Sequence, residues 1–373
     1  MVESSWKVQE GKGQDNQVSA KVMKIGEENL EGLTQSKNPM NLIPSNLTDH
    51  QPQPSITLHS THFPTISSDI TQAISEGIVR LKHAPVDLYN TDKCLVEIKG
   101  KGNMEMIWDK SEKGLGQRGL SNLKSAQKNV RLSQVQLFQY LLYQYNQQKQ
   151  SKITLDIRDY FGLRGIVRRK ENIDRFYQDL TILSWVSIDL TGKNSGHSEP
   201  MIGKLLTVKG LLSAGEEEIG FKGKGEKVAK VVVELGEWIQ KLKLTQFILL
   251  PIAFFEYTAP NQSPAILMSL KFNQLCRVNS GKGLGYNKKV TVKSLLGTLG
   301  VTKKDVAKQG GQYYQTLLER CFKLLEDEGY CIVFKKAEAG IAMGFLENIV
   351  LYRNDGLESL YCIRKIRTHT DKK

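Results

Sequence analysis

Paired cysteines are missing from this chain. Its five cysteines (Cys94, Cys276, Cys321, Cys331 and Cys362) are far apart and odd in number, so no disulfide framework organises it. There is no C-x-x-C pair and no Cys/His cluster at ligand spacing, which leaves no zinc site. The thiols are expected as small buried side chains in a reducing compartment. Histidine is equally sparse: His50, His59 and His62 fall in a polar N-terminal stretch, while His197 and His369 stand alone. The longest apolar run, FILLPIAFF from Phe247 to Phe255, contains Pro251 and is too short to cross a bilayer. The opening MVESSWKVQEGK has no apolar signal region. A cytoplasmic location with no membrane partner is expected.

Signatures of catalysis are lacking as well. The Gly/Lys pieces GKG (100–102), GFKGKG (220–225) and GKGLG (281–285) never continue into the Lys-Ser/Thr pair that a phosphate-binding P-loop needs. His59 and His62 have two residues between them rather than the one of a His-x-His pair. Asp156 and Asp159 fall on one expected helix, whereas two-metal sites hold carboxylates on neighbouring strands. No catalytic residue, metal ligand or cofactor is therefore assigned, and the chain is read as a non-enzyme.

What the chain does have is positive charge, unevenly placed. The formal net charge is +13, and residues 1–70 hold five Lys against eight Asp or Glu, so the remainder carries +16. Such an excess on a folded body points to a polyanionic partner, most often nucleic acid. Residues 1–70 are rich in Ser, Asn, Gln, Thr and Pro, too polar to offset ordering entropy, and are expected to be disordered. The globular pattern starts near residue 75. CLVEIKGKGNMEMIWD alternates around Gly100 to Asn103 as a hairpin does. LSQVQLFQYLLYQYNQ sets Leu132, Val135, Leu137, Phe138, Leu141 and Leu142 at helical spacing, with Ser133 as the expected N-cap.

A repeat then becomes visible. ITLDIRDYFGL (153–163) resembles VTVKSLLGTLGV (290–301), each giving a β-branched start, a short helix and a Gly near its end. A basic segment follows in each: RGIVRRKENIDR in the first copy, TKKDVAKQGGQ in the second. Next comes a longer amphipathic helix, with Ile173, Phe176 and Leu180 matching Leu318, Cys321 and Leu325, and Trp185 matching Tyr330, at one fixed offset of 145 residues. Trp185 and Tyr330 are expected in the core at the base of a strand. The unit is a helix, a helix-turn-helix and a β-wing, in which the second short helix can lie in a major groove. Basic residues at its start would reach phosphates or guanine edges. The candidates are Arg164, Arg168, Arg169, Lys170 and Arg175 in the first copy, and Lys303, Lys304, Lys308, Gln312 and Arg320 in the second, with Lys288 and Lys289 as phosphate contacts. Tyr313 and Tyr314 would stack on the nucleic acid, or one of them packs against the helix in front.

With these units in place, the chain resembles the plasmid replication initiators built from two winged-helix domains, over about residues 75–365. LSQVQLFQYLLYQ with ITLDIRDYFGL carries the likeness in the first unit; SLKFNQLCRVN, KVTVKSLLGTLGV and LLERCFKLLEDEGY carry it in the second. The implied fold class is α+β, two tandem winged-helix domains after a disordered extension. The implied divisions are 1–70 (extension), 75–190 (first domain, dimerisation and DNA contact), 191–227 (linker), 228–365 (second domain, principal DNA binding) and 366–373 (basic tail). The resemblance further implies binding of double-stranded DNA at directly repeated origin sites, opening of the origin, recruitment of host replication proteins, and a homodimer. A transcription regulator with the same two modules is the alternative.

Overall fold

The computed structural model describes residues 62–66, 69–98, 102–109, 120–190, 201–215, 218–219, 228–241, 247–259, 261–279, 288–335 and 344–361. Its elements begin with β1 (His62–Ile66), α1 (Asp69–Arg80), β2 (Lys93–Ile98), β3 (Gly102–Ile107), α2 (Leu123–Lys128), α3 (Leu132–Gln148), β4 (Lys152–Asp156), α4 (Ile157–Leu163) and α5 (Lys170–Ser184). Next come β5 (Val186–Leu190), β6 (Met201–Lys204), β7 (Leu206–Ser213), β8 (Glu218–Ile219), β9 (Val228–Leu235), β10 (Phe247–Pro251) and α6 (Ala253–Glu256). The rest are α7 (Ser263–Asn279), β11 (Lys288–Thr291), α8 (Val292–Thr298), α9 (Lys303–Gln309), α10 (Gly311–Glu326), β12 (Cys331–Lys335), β13 (Ile349–Arg353) and a last helix, α11 (355–361). The class is α+β, with antiparallel sheets.

Two 17-residue helices, α3 and α7, open the two copies of the repeat. α3 is not the one-sided helix its apolar stripe predicts, because every residue from 134 to 143 is buried. Gln134, Gln136 and Gln139 are 0%, 0% and 2% exposed, and each reaches a partner, as buried amides must. Gln134 Nε2 donates to the Asn129 carbonyl (3.0 Å), and Gln136 Nε2 to the Phe254 carbonyl (2.7 Å). Gln139 Nε2 donates to Ser75 Oγ (3.0 Å), while its Oε1 accepts from Thr65 Oγ1 (3.1 Å). α3 thus lies between the first copy and the α6 end of the second.

The second copy keeps a single sheet in the order β11-β13-β12: the strand before the helices pairs with the far arm of the hairpin after them. In the first copy the equivalent strands part company. β4 joins β9 in the sheet β4-β9-β7-β8, and β5 joins β3 and β6 in the sheet β2-β3-β5-β6. The chain bends at Leu205 from β6 into β7 and so connects the two sheets. Residues 201–213 are therefore paired strands rather than the linker expected across 191–227. Alternation in LLTVKGLL is the local reason, and pairing with β9 the tertiary one.

The polar extension also ends earlier than expected. β1 pairs antiparallel with β10, and Phe63 and Ile66 are buried, because HFPTI supplies enough apolar surface to complete a ribbon over α3. Residues 1–61 lie outside the described part. Residues 55–373 form one compact unit. Arg80 at the end of α1 donates to the Gly297 carbonyl (3.3 Å), and Tyr257 donates to Glu328 Oε1 (2.5 Å). The Arg80–Gly297 bond, part-buried, and the buried Gln136–Phe254 bond thus join the two copies.

Candidate nucleic-acid interface

The helix-turn-helix begins at α8, whose N-cap Thr291 accepts from the Ser294 amide (3.2 Å). Gly300, at φ 76°, turns the chain in the left-handed region that favours glycine. The Gly300 amide donates to the Gly297 carbonyl (3.1 Å) and the Val301 amide to Leu296 (2.9 Å), satisfying the carbonyls a helix end leaves open. The first copy repeats this turn at an offset of 135: Gly165 has φ 61°, its amide donates to Gly162 (3.1 Å), and Ile166 donates to Phe161 (2.9 Å). Gly165, not Gly162 as the ITLDIRDYFGL comparison suggests, is thus the counterpart of Gly300. In this register Arg168 and Arg169 correspond to Lys303 and Lys304.

After that point the copies diverge. In the second, Thr302 caps α9 in a reciprocal box with Asp305: the Thr302 amide and hydroxyl donate to Asp305 Oδ2 (2.8 and 2.6 Å), and the Asp305 amide donates to Thr302 Oγ1 (3.3 Å). Those bonds hold the Asp305 carboxyl below its usual range. No residue of α9 is buried. Lys303, Lys304 and Lys308 are exposed and make no hydrogen bond or ion pair among the described residues. Gly310, at φ 86°, ends α9 and starts α10. α10 buries Tyr314, Leu318, Cys321, Phe322 and Leu325 and turns Gln312, Tyr313 and Arg320 outward. The tyrosines divide the two roles open to them: Tyr314 is 7% exposed and Tyr313 56%, with the rings edge-to-face at 5.0 Å.

Lys289 is exposed on β11. Lys288 is a correction: it is 3% exposed and paired with the equally buried Glu358 of α11, so it cannot reach a phosphate. Strand alternation places successive residues on opposite faces, and only one of two adjacent lysines can point outward.

In the first copy α4 passes through residues 164–169 directly into α5, with no helix equivalent to α9. The Arg164 guanidinium lies 5.5 Å from the centroid of the Tyr160 ring. Arg168 donates to the Val228 carbonyl of β9 (2.7 Å) and is partly committed to the fold. Arg169, Lys170 and Arg175 are exposed. Sequence reasoning missed Arg131, the N-cap residue of α3, which shares a cleft with Arg164, Arg169 and Arg175. It also missed Asp179, whose oxygens accept from Ser133 Oγ (2.7 Å) and Gln134 Nε2 (3.1 Å). Ser133 is therefore that carboxylate's partner and not a helix cap. Burial raises the Asp179 pKa, opposed by those donors and by Arg131 and Arg164. No spacing in the sequence joins residue 131 to 164–179; only the packing of α3 against α5 does.

Among the described residues no group of three His, Cys, Asp or Glu is placed to hold a metal ion. Asp156 caps α4, accepting from the Arg158 amide (2.7 Å). Cys94, Cys276 and Cys321 are buried and Cys331 exposed. Trp185 and Tyr330 are both 3% exposed and belong to the core. No described helix is long and apolar enough to cross a membrane. The Gly/Lys pieces 220–225 and 281–285 lie outside the described residues.

No family model matches the sequence, and no curated protein matches it. Among solved structures, domains 2 and 3 of RctB match at 11% identity and a TM-score of 0.43, covering 77% of this chain and 100% of that one. At that score and identity the likeness is too distant to assign a fold or an activity.

Proposed function

We propose that the chain is a replication initiator of the tandem winged-helix type that binds double-stranded DNA and reads its sequence through the second unit. It is a binding protein without catalytic activity of its own, and it acts by occupying directly repeated origin sites, opening the origin and recruiting host replication proteins. α9 carries this reading. Three exposed lysines stand on a capped helix with no fully buried residue, where Val306 packs partly against the core, after a left-handed glycine turn and beside Gln312 and Tyr313. A helix that contributes so little to the core is explained by what it meets outside. Lysines there supply phosphate contacts, while Gln312 has the paired donor and acceptor that suit an adenine edge. The choice of initiation over regulation rests on the family resemblance of the element order.

The test is a mobility-shift survey of tiled fragments from the protein's own gene neighbourhood, at about physiological salt with excess competitor. Tight binding confined to a fragment with direct repeats is expected, and it should be lost in K303A/K304A. Binding confined to one palindromic operator would make the chain a transcription regulator. Equal, competitor-sensitive binding to every fragment would reduce the basic charge to a general polyanion surface.

A further inference from the structure

The basic residues of the two copies do not form the same kind of surface. Those of the second stand out on α9. Those of the first line a cleft of about 470 Å³ between the start of α3, the 164–169 loop and α5. Arg131, Arg164, Arg169 and Arg175 line it from three separate segments, with Asn172 beside them. One acid, Asp179, also faces the cleft, and its oxygens already accept from Ser133 and Gln134. Four guanidiniums against one carboxylate leave a formal excess of three positive charges. Arg164 Nε is among the buried polar atoms with no hydrogen-bond partner, so that guanidinium keeps a donor the fold does not use. Guanidinium forks match phosphate oxygens in pairs, and a concave wall of them receives a phosphate rather than entering a groove.

We propose that this cleft is a phosphate receptor of the first unit, taking the phosphoester either of a DNA strand or of a free nucleotide. It deepens the DNA-binding reading by giving the first unit a role without base recognition, and it adds Arg131 to the site. Isolated arginines on a solvated face would not converge from three segments.

The full-length chain provides the test, with ATP, AMP and a short duplex of arbitrary sequence as probes. The variants are R169Q/R175Q, whose side chains are exposed and make no hydrogen bond or ion pair among the described residues, and R164Q separately. For a DNA source, R169Q/R175Q should lower the slope of log affinity against log salt by about 1.8, at about 0.9 for each phosphate contact, with base preference and melting temperature unchanged. For a free-nucleotide source, calorimetry should show one site for ATP or AMP that weakens at least tenfold in R169Q/R175Q. Salt slope and nucleotide binding both unchanged in R169Q/R175Q and R164Q would overturn the proposal and leave the arginines as supports for Asp179. The triple variant K303A/K304A/K308A separates this site from the DNA reading, since it should weaken duplex binding while leaving nucleotide binding at the cleft intact. If the wild type binds no duplex yet holds nucleotide through these arginines, the cleft stands and the DNA reading falls.

Discussion

Replacing Lys288 by Met separates a DNA contact from a core ion pair. Lys288 and Glu358 are 3% and 2% exposed and paired with each other. Both have already lost their hydration, so removing the lysine strands a carboxylate. The remaining donors near Glu358 are poor: the Asn354 amide at 3.5 Å and the Cys276 thiol at 3.8 Å. Burial pushes that thiol up to about 12, so it stays neutral and does not replace a cation. Breaking a buried pair on one side costs about 3–5 kcal/mol, and such weak substitutes place K288M in the upper part of that range. The double variant K288M/E358Q removes both charges, and a coupling of roughly 2 kcal/mol or more should appear in the double-mutant cycle. Urea unfolding followed by circular dichroism reads both values, while DNA titrations at several salt concentrations read the slope. K288M should be unstable with an unchanged salt slope wherever it is folded. Unaltered stability together with a slope smaller by about 0.9 would show Lys288 on a phosphate and refute its placement in the core.

Three further outcomes are expected. K303A/K304A/K308A should reduce the salt slope by about 2.7, the loss of three phosphate contacts, with no change in melting temperature, because α9 buries no residue; an unchanged slope would remove α9 from the interface. Glu328 lies buried between Tyr257 and Ser269, and burial pushes its carboxyl up to about 7 from an ordinary 4.5. The folded state therefore holds this proton more tightly than the unfolded one, and stability falls by about 3 kcal/mol as pH rises from roughly 4.5 to 7. E328Q should flatten that part of the stability–pH curve, and an identical curve would contradict the assignment. Y314A should cost on the order of 3 kcal/mol as a core truncation, whereas Y313A should stay within about 0.5 kcal/mol of wild type and weaken DNA binding, with the opposite pattern reversing their roles.

The second unit was legible in the sequence because its local signals agree. Thr302 and Asp305 form the capping box, Gly300 and Gly310 mark the turns, and α10 has one apolar face. The first unit was harder to read, for reasons that are all tertiary. Gln134, Gln136 and Gln139 look like the polar side of a surface helix, yet beyond the local bonds of Gln134 to Arg131 and Asn129 their partners come from α1, β1, α6 and Asp179, more than forty residues away. β1 is too short to stand out from a polar tail without β10 opposite it. The parting of β4 from β5 depends on β9, more than seventy residues beyond β4, and no local pattern marks it. Lys288 and Lys289 were read alike because composition counts charges, whereas strand geometry assigns them to opposite faces.

The change of register between the copies shows where their functions part. Ile157 and Val292 are 135 residues apart, and so are Gly165 and Gly300, whereas Ile173 and Leu318 are 145 apart, as are Trp185 and Tyr330. All of these residues except the glycines are buried, so the core dictates both registers, and ten residues enter the second copy between them. Those residues contain most of α9 and the Gly310 turn. Their absence draws the equivalent arginines of the first copy, Arg168 and Arg169, back onto the body, where Arg168 ties to β9 and Arg169 turns into the cleft. One insertion thus separates a projecting basic helix from a recessed basic cleft. Deleting 303–312, which restores the first copy's register in the second, should leave the buried positions of α8 and α10 in place. If α9 is the groove-reading element, the shortened protein should keep its fold by circular dichroism and lose its preference for the specific site while retaining salt-dependent, sequence-independent binding. Retained site preference would move base recognition to Arg320 and the rest of α10.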